Sequence, residues 1–208
     1  MRYRLAIFDL DGTLADSYPW FLQMVNGVAD EFGFRHIVAQ DADGLRRLPP
    51  RELLRRLKVP RWKLPMIAMR MRALKREQLG RIPLFPGAEQ TLRALAQGGM
   101  ALALVTSDSE DNARRQLGPG IAALFAHIAC GASLFGKAAK FSRVVKASGM
   151  PRETVIGIGD ELRDIEAARA ASIAAGAVTY GYAHGEALRA AQPDLVFDSV
   201  AEIAALVA

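Results

Sequence analysis

The stretch Leu5-Ala6-Ile7-Phe8-Asp9-Leu10-Asp11-Gly12-Thr13-Leu14-Ala15-Asp16-Ser17 decides how the rest of this 208-residue chain is read. A short apolar run ending in two aspartates one residue apart, then a glycine, reads as a buried parallel strand that delivers carboxylates into a loop. Open α/β sheets bind their ligands at such strand ends. A carboxylate is a workable covalent nucleophile toward a phosphoryl group, which makes Asp9 the candidate nucleophile. Asp11 can then protonate a leaving oxygen and later deprotonate a water, provided its surroundings differ from those of Asp9. Gly12 permits close backbone approach, consecutive loop amides can form an anion-holding nest, and Thr13 adds a hydroxyl donor. Asp-Gly is also an ordinary turn dipeptide, so the motif gains its weight from the segments downstream of it.

Those segments alternate between helix and strand. Ala88 to Ala96 reads as a helix ended by Gly98-Gly99, and Ala101 to Val105 as a buried strand finishing at Thr106-Ser107-Asp108. Thr154 to Asp160 is again a strand running into an acid, with Glu161 and Asp164 behind it. If a helix begins near Asp160, Asp160 and Asp164 lie about one turn apart and address one cavity. Ile173 to Thr179 and Asp194 to Asp198 read as further strands, and Val200 to Val207 as a closing helix. The pattern predicts an α/β fold with a doubly wound, Rossmann-like parallel sheet. Tyr18 to Gly80 breaks it: Trp20, Phe21, Met24, Val25 and Val28 recur at helical spacing, as do Leu53, Leu54 and Leu57, then Met66, Met69 and Leu74 less regularly. Pro49-Pro50, Pro60 and Pro65 separate the later helices, and no convincing strand occurs. The expected division is a core of residues 1–15 and 82–208 carrying a small inserted helical cap, residues 16–81.

Asp9-x-Asp11-Gly12-Thr13, Thr106-Ser107, Leu134-Phe135-Gly136-Lys137 and Gly159-Asp160 occur in that order. The series resembles the four motifs of the haloacid dehalogenase-like phosphohydrolases, in the phosphoglycolate-phosphatase-like branch with a helical cap, over nearly the whole chain. The resemblance implies Asp9 as nucleophile, Asp11 as acid and base, and Lys137 as the cation that pairs with Asp9 and the phosphoryl oxygens. It also implies phosphate contacts from Gly12, Thr13 and the Thr106 hydroxyl, with Ser107 supporting that loop. Alanine comes after Lys137 where many such proteins have proline, and Lys140, one turn on, is the alternative lysine. A hard Mg2+ ion takes oxygen ligands, and Asp9, the backbone carbonyl of Asp11 and Asp160 fit that need, with Glu161 or Asp164 orienting them from behind. The implied reaction is hydrolysis of a small phosphate monoester through an aspartyl-phosphate on Asp9, under a cap that excludes water and reads the leaving group. A sugar-phosphate mutase would keep every motif. Phosphonate hydrolysis would need a placed cap lysine, for which Lys58 and Lys63 are candidates. A dehalogenase would lack the second aspartate.

Charge is concentrated in the cap. Thirteen lysines and arginines between Arg46 and Arg81 face only Glu52 and Glu77, so this segment carries +11 while the whole chain is +5. Most of these cations suit the solvated side of amphipathic helices. A few could select a leaving group that carries its own carboxylate or second phosphate. A module that binds a polyanion through the cap is the non-enzymatic alternative, although nucleic acid is not the expected partner. Cys130, the single cysteine, lies in an apolar run and reads as a buried strand thiol suited to a reducing cytoplasm. No apolar stretch approaches bilayer length and no signal-peptide pattern precedes the first strand. None of His36, His127 and His184 shares metal-ligand spacing with another. Either a monomer or a homodimer is compatible with the apolar stripes.

Overall fold

Leu5 and Ile7 pack on one face of a sheet, Ala6 and Phe8 on the other, and the same alternation runs through the neighbouring strands. In a computed structural model, which describes residues 2–132 and 136–207, six strands form this sheet: β1 (Leu5–Phe8), β2 (Ala101–Val105), β3 (Phe125–Ala129), β4 (Val155–Gly159), β5 (Ala174–Val178) and β6 (Leu195–Phe197). Their order is β3-β2-β1-β4-β5-β6 and every pairing is parallel. β1 thus lies between β2 and β4, and the order reverses beside it, which is where doubly wound sheets open a crevice at their carboxyl ends.

The helices are α1 (Tyr18–Phe32), α2 (Ala39–Arg46), α3 (Pro50–Arg56), α4 (Leu64–Gln78), α5 (Ala88–Gln97), α6 (Glu110–Ala122), α7 (Lys137–Ser148), α8 (Leu162–Ala170) and α9 (Gly185–Ala190). Leu92 and Leu95 of α5, Leu117 of α6 and Ile203 pack with Phe8, Leu104 and Ile158 on one face. Phe141 and Val144 of α7, Ile165 and Ala168 of α8 and Leu188 of α9 pack with Ile7 and Val105 on the other. Burial on both faces explains why the central strands are continuous apolar runs rather than polar-apolar alternations.

Helices α1 to α4 all fall between β1 and β2. Pro50 and Pro65 stand in the first turns of α3 and α4, where a missing N–H costs nothing. The chain leaves and rejoins the core through one pinned crossing: Ala15 and Leu84 form an antiparallel bridge, flanked by Asp16 N–H to Pro83 and Phe85 N–H to Leu14.

Four local expectations are corrected. Met66 and Met69 are exposed, because α4 turns Ile67, Ala68, Met71 and Lys75 inward instead. Cys130 lies one residue past β3, an edge strand, and is half-buried. The helix after β4 begins at Leu162 rather than Asp160. Residues Val200–Val207 form a 3-10 helix. Leu134 and Phe135 lie outside the described residues.

Candidate active site

Asp9 is the first residue past β1, and its N–H is held by the Ile158 carbonyl of β4. One carboxylate oxygen accepts the N–H of Leu10 at 2.8 Å and the other meets Lys137 Nζ at 2.6 Å. Lys137, the first residue of α7, is buried and bonds Asp164 as well. Asp160 comes directly after β4, Asp164 sits in the first turn of α8, and both are buried beside Asp9. Oxygens of Asp9, Asp160 and Asp164 lie within 4.8 Å of one another.

Burial pushes the Asp9 carboxyl up to about 6, against the pull of the Lys137 ammonium and with the added repulsion of Asp164. Asp160 is raised well above the usual carboxylate range, first by burial and then by the charges of Glu161, Asp9 and Asp164. Lys137 is held above the ordinary lysine value: burial pulls it down, but Asp164 and Asp9 outweigh that. Three buried carboxylates share one buried ammonium, so a divalent cation with oxygen ligands fits the charge, the donor chemistry and the spacing.

The loop after β1 is built differently from an open nest. Gly12 N–H donates to Ala15, while Thr13, Leu14 and Ala15 N–H all converge on the Leu10 carbonyl. The Thr13 hydroxyl donates to Asp160 Oδ1 at 2.7 Å, and the Tyr182 N–H donates to Asp160 Oδ2 at 2.8 Å. Gly12 has φ +76°, and a Cβ there would stand 2.1 Å from Asp160 Oδ2. Gly159 and Gly181 are equally constrained: a Cβ on either would meet Asp164 Cγ at 2.4 Å or Asp160 Cβ at 2.3 Å. Thr106 is buried at the end of β2, its hydroxyl accepting the Asp108 N–H at 3.1 Å. Ser107 lines the cleft and its carbonyl accepts Arg72 Nε at 2.8 Å.

Asp11 and Glu161 stand apart from the three-acid cluster. The Asp11 carboxylate is a quarter exposed and meets Lys75 Nζ at 2.6 Å; the same ammonium meets Asp108 at 2.7 Å. Glu161 is the N-cap of α8, in a reciprocal capping box with Asp164, and is paired with Arg163. Asp164 therefore caps a helix and belongs to the acid cluster at once. Lys140 is half-buried on α7, while Lys137 makes the ion pairs to Asp9 and Asp164.

Sequence reasoning misses Lys75. Its signal is nonetheless there: Ile67, Met71 and Lys75 are spaced by four, so a lysine continues the inward stripe of α4. The two candidate cap lysines go elsewhere, Lys63 to the Phe32 carbonyl and Lys58 to solvent. Arg46, in sequence only one member of the basic run, donates to the carbonyls of Tyr182 and Gly181 at 2.9 and 2.7 Å and lies over the Tyr18 ring.

A doubly wound sheet with a buried aspartate, lysine and acid pair at its switch point defines an α/β hydrolytic enzyme. The chain belongs to the haloacid dehalogenase-like hydrolase family, whose sequence profile matches residues 6–178. It is 32% identical over 198 residues to a phosphoglycolate phosphatase of Synechococcus elongatus, covering 95% of this chain and 93% of that one. A phosphoglycolate phosphatase of Vibrio vulnificus is also 32% identical, over 96% of this chain and 94% of its own. Among solved structures, a haloacid dehalogenase-like hydrolase from Streptococcus pneumoniae superposes with a TM-score of 0.81 at 21% identity, covering 100% of this chain and 99% of that one. Among the described residues, no helix is long and apolar enough to cross a membrane.

Proposed function

We propose that this enzyme is a Mg2+-dependent phosphomonoesterase in which Asp9 attacks phosphorus. The observation that carries the reading is the Asp9–Lys137–Asp164 contact chain beside Asp160, at the junction of the two central strands. Asp9 and Asp160, with the Asp11 carbonyl, would hold the ion, and Asp164 would orient Lys137 and steady the cluster. When bound, the ion neutralises phosphoryl charge and fixes the phosphate against its attacker.

The chain's own residues account for the remaining work. Lys137 keeps Asp9 aimed through Oδ2 and meets the negative charge of the phosphoryl group. Asp11, in wetter surroundings than Asp9, gives its proton to the departing oxygen and then takes one from the water that opens the Asp9 acyl phosphate. Thr13 and the Tyr182 amide hold Asp160, and Thr106 keeps its hydroxyl hydrogen for a phosphoryl oxygen while accepting from Asp108. We divide the chain as a core, 1–15 and 82–208, and a cap, 16–81, since the paired backbone at Ala15 and Leu84 marks a natural hinge. The lone half-buried thiol of Cys130 suits a reducing cytoplasm.

Phosphoglycolate is the first ester to assay, given the names of the relatives. Phosphate release by wild type should require Mg2+ and fall by about 10⁴-fold or more in Asp9→Asn, as losing a nucleophile does elsewhere. Turnover that survives the substitution, or that ignores chelation of the metal, overturns the reading.

A further inference from the structure

Past Asp11 the cleft widens into a chamber of about 800 Å³ between cap and core. Its two ends differ in chemistry. Asp11, Lys75 and Ser107 stand at the core end, whereas Leu45 of α2, Leu53 and Leu54 of α3, and Ile67, Ala68 and Met71 of α4 wall the cap end. Cavities of roughly 300–1,000 Å³ enclose drug-sized ligands. A two-carbon acid esterified to phosphate is far smaller, and its carboxylate would face hydrocarbon over most of this wall.

Two of the three cap arginines along the chamber are bound to core carbonyls. Arg46 commits Nε and Nη2 to the carbonyls of Tyr182 and Gly181, and Arg72 commits Nε to that of Ser107. Both cations bind core backbone, and Arg61, the third cap arginine along the chamber, is exposed to solvent, so the wall formed by α2, α3 and α4 is mostly hydrocarbon. An apolar wall of this size binds by excluding water, and what it recognises is hydrocarbon.

We propose that the leaving group of this enzyme's substrate is predominantly apolar and larger than a two-carbon acid, as in an aryl or branched alkyl phosphate. The phosphoryl group sits at Asp9 and the hydrocarbon fills the cap end. The inference rests on the phosphomonoesterase reading above and adds no step to it: the ester P–O bond breaks, and the alcohol or phenol leaves with the proton of Asp11.

The test compares 1-naphthyl phosphate with phosphoglycolate, in Mg2+, for wild type and for Ala68→Trp and Ala42→Trp, both at chamber-lining positions. Wild-type kcat/KM should favour the naphthyl ester by roughly tenfold or more, the discrimination that one or two buried groups give in an apolar pocket. Each folded tryptophan variant should shrink that ratio several-fold. A wild-type ratio of one or below, or a ratio untouched by a folded tryptophan variant, overturns the proposal. Calorimetric titration of Asp9→Asn with 1-naphthylmethylphosphonate and with phosphonoacetate reads the chamber without turnover. Tighter binding of the naphthyl compound by tenfold or more supports the proposal, and equal affinities overturn it. Selective naphthyl binding in a wild type that releases phosphate from no ester supports the chamber's ligand class and removes the hydrolase reading instead.

Discussion

Asp9 carries its charge where burial opposes it, with a carboxyl held at about 6 against an ordinary 3.8. Between those values the folded, metal-free protein binds a proton that the unfolded chain has released, so its stability falls as pH rises from about 4 to 6. Asp160, raised by burial and neighbouring acids, pushes in the same direction. Urea denaturation in chelator should show this decline, on the order of 2–3 kcal/mol from Asp9, and Asp9→Asn should make it shallower while Asp160 still contributes; a wild type that gains stability across the window sinks the argument. Lys75 makes the opposite case. Its buried ammonium joins Asp11 to Asp108, so Lys75→Met leaves two carboxylates facing an apolar stub. A loss of about 3–5 kcal/mol is expected, partly recovered when Asp108→Asn is added. Of the site, the motif acids and Lys137 were legible because each stands at a strand or helix end with a recognisable neighbour pattern. Lys75 and Arg46 were not, since one cation among thirteen in a basic run has no signature until the helix face that carries it is known.

Elements position these groups through glycines as much as through acids. The turn after β1 folds onto its own Leu10 carbonyl and brings Gly12 against Asp160 and Tyr182, which leaves no room for a Cβ. Gly12→Ala combines a left-handed backbone cost of about 1–2 kcal/mol with a clash at 2.1 Å, and it displaces Asp160 from the acid cluster. The variant should lose the rise in Tm on adding Mg2+ that is expected of a wild type holding the ion at this cluster. An unchanged metal response in a folded Gly12→Ala protein contradicts this role for the turn. The strand runs were readable because doubly buried strands are continuous apolar blocks flanked by turn residues. The cap was harder: α4 mixes methionines, arginines and leucines, so Met66 and Met69 looked like its core, whereas packing selects the stripe through Ile67 and Met71. Periodicity finds a helix but does not say which of two similar faces meets the protein. The capping box of α8 shows the same ambiguity, because Asp164 has the spacing of a helix cap and lies in the three-acid cluster at once.

At the scale of the molecule, the segment from Arg46 to Arg81 carries +11 and the rest of the chain sums to −6, and the contacts this segment makes with the sheet-bearing residues are directional. Arg46 reaches the carbonyls of Gly181 and Tyr182, Arg72 that of Ser107, and Lys75 the carboxylates of Asp11 and Asp108. The Arg46 carbonyl in turn accepts the N–H of His184. Exposed pairs such as Arg47 with Glu186 add little and are screened by salt. The partly buried arginine-to-carbonyl bonds are therefore the ones that should decide how long the cap stays shut. The double variant Arg46→Ala, Arg72→Ala removes them without touching Asp9, Lys137 or the sheet. Losing charge-assisted bonds at about 1.5–3 kcal/mol each should raise amide exchange in α2 and α4 by tenfold or more, while β1, β2 and β4 keep their protection. Phosphate release should slow, because a cap that opens more often admits water and loosens the leaving group. If exchange in α2 and α4 does not change, those bonds do not govern closure, and the basic residues of the cap act mainly as a solvated surface.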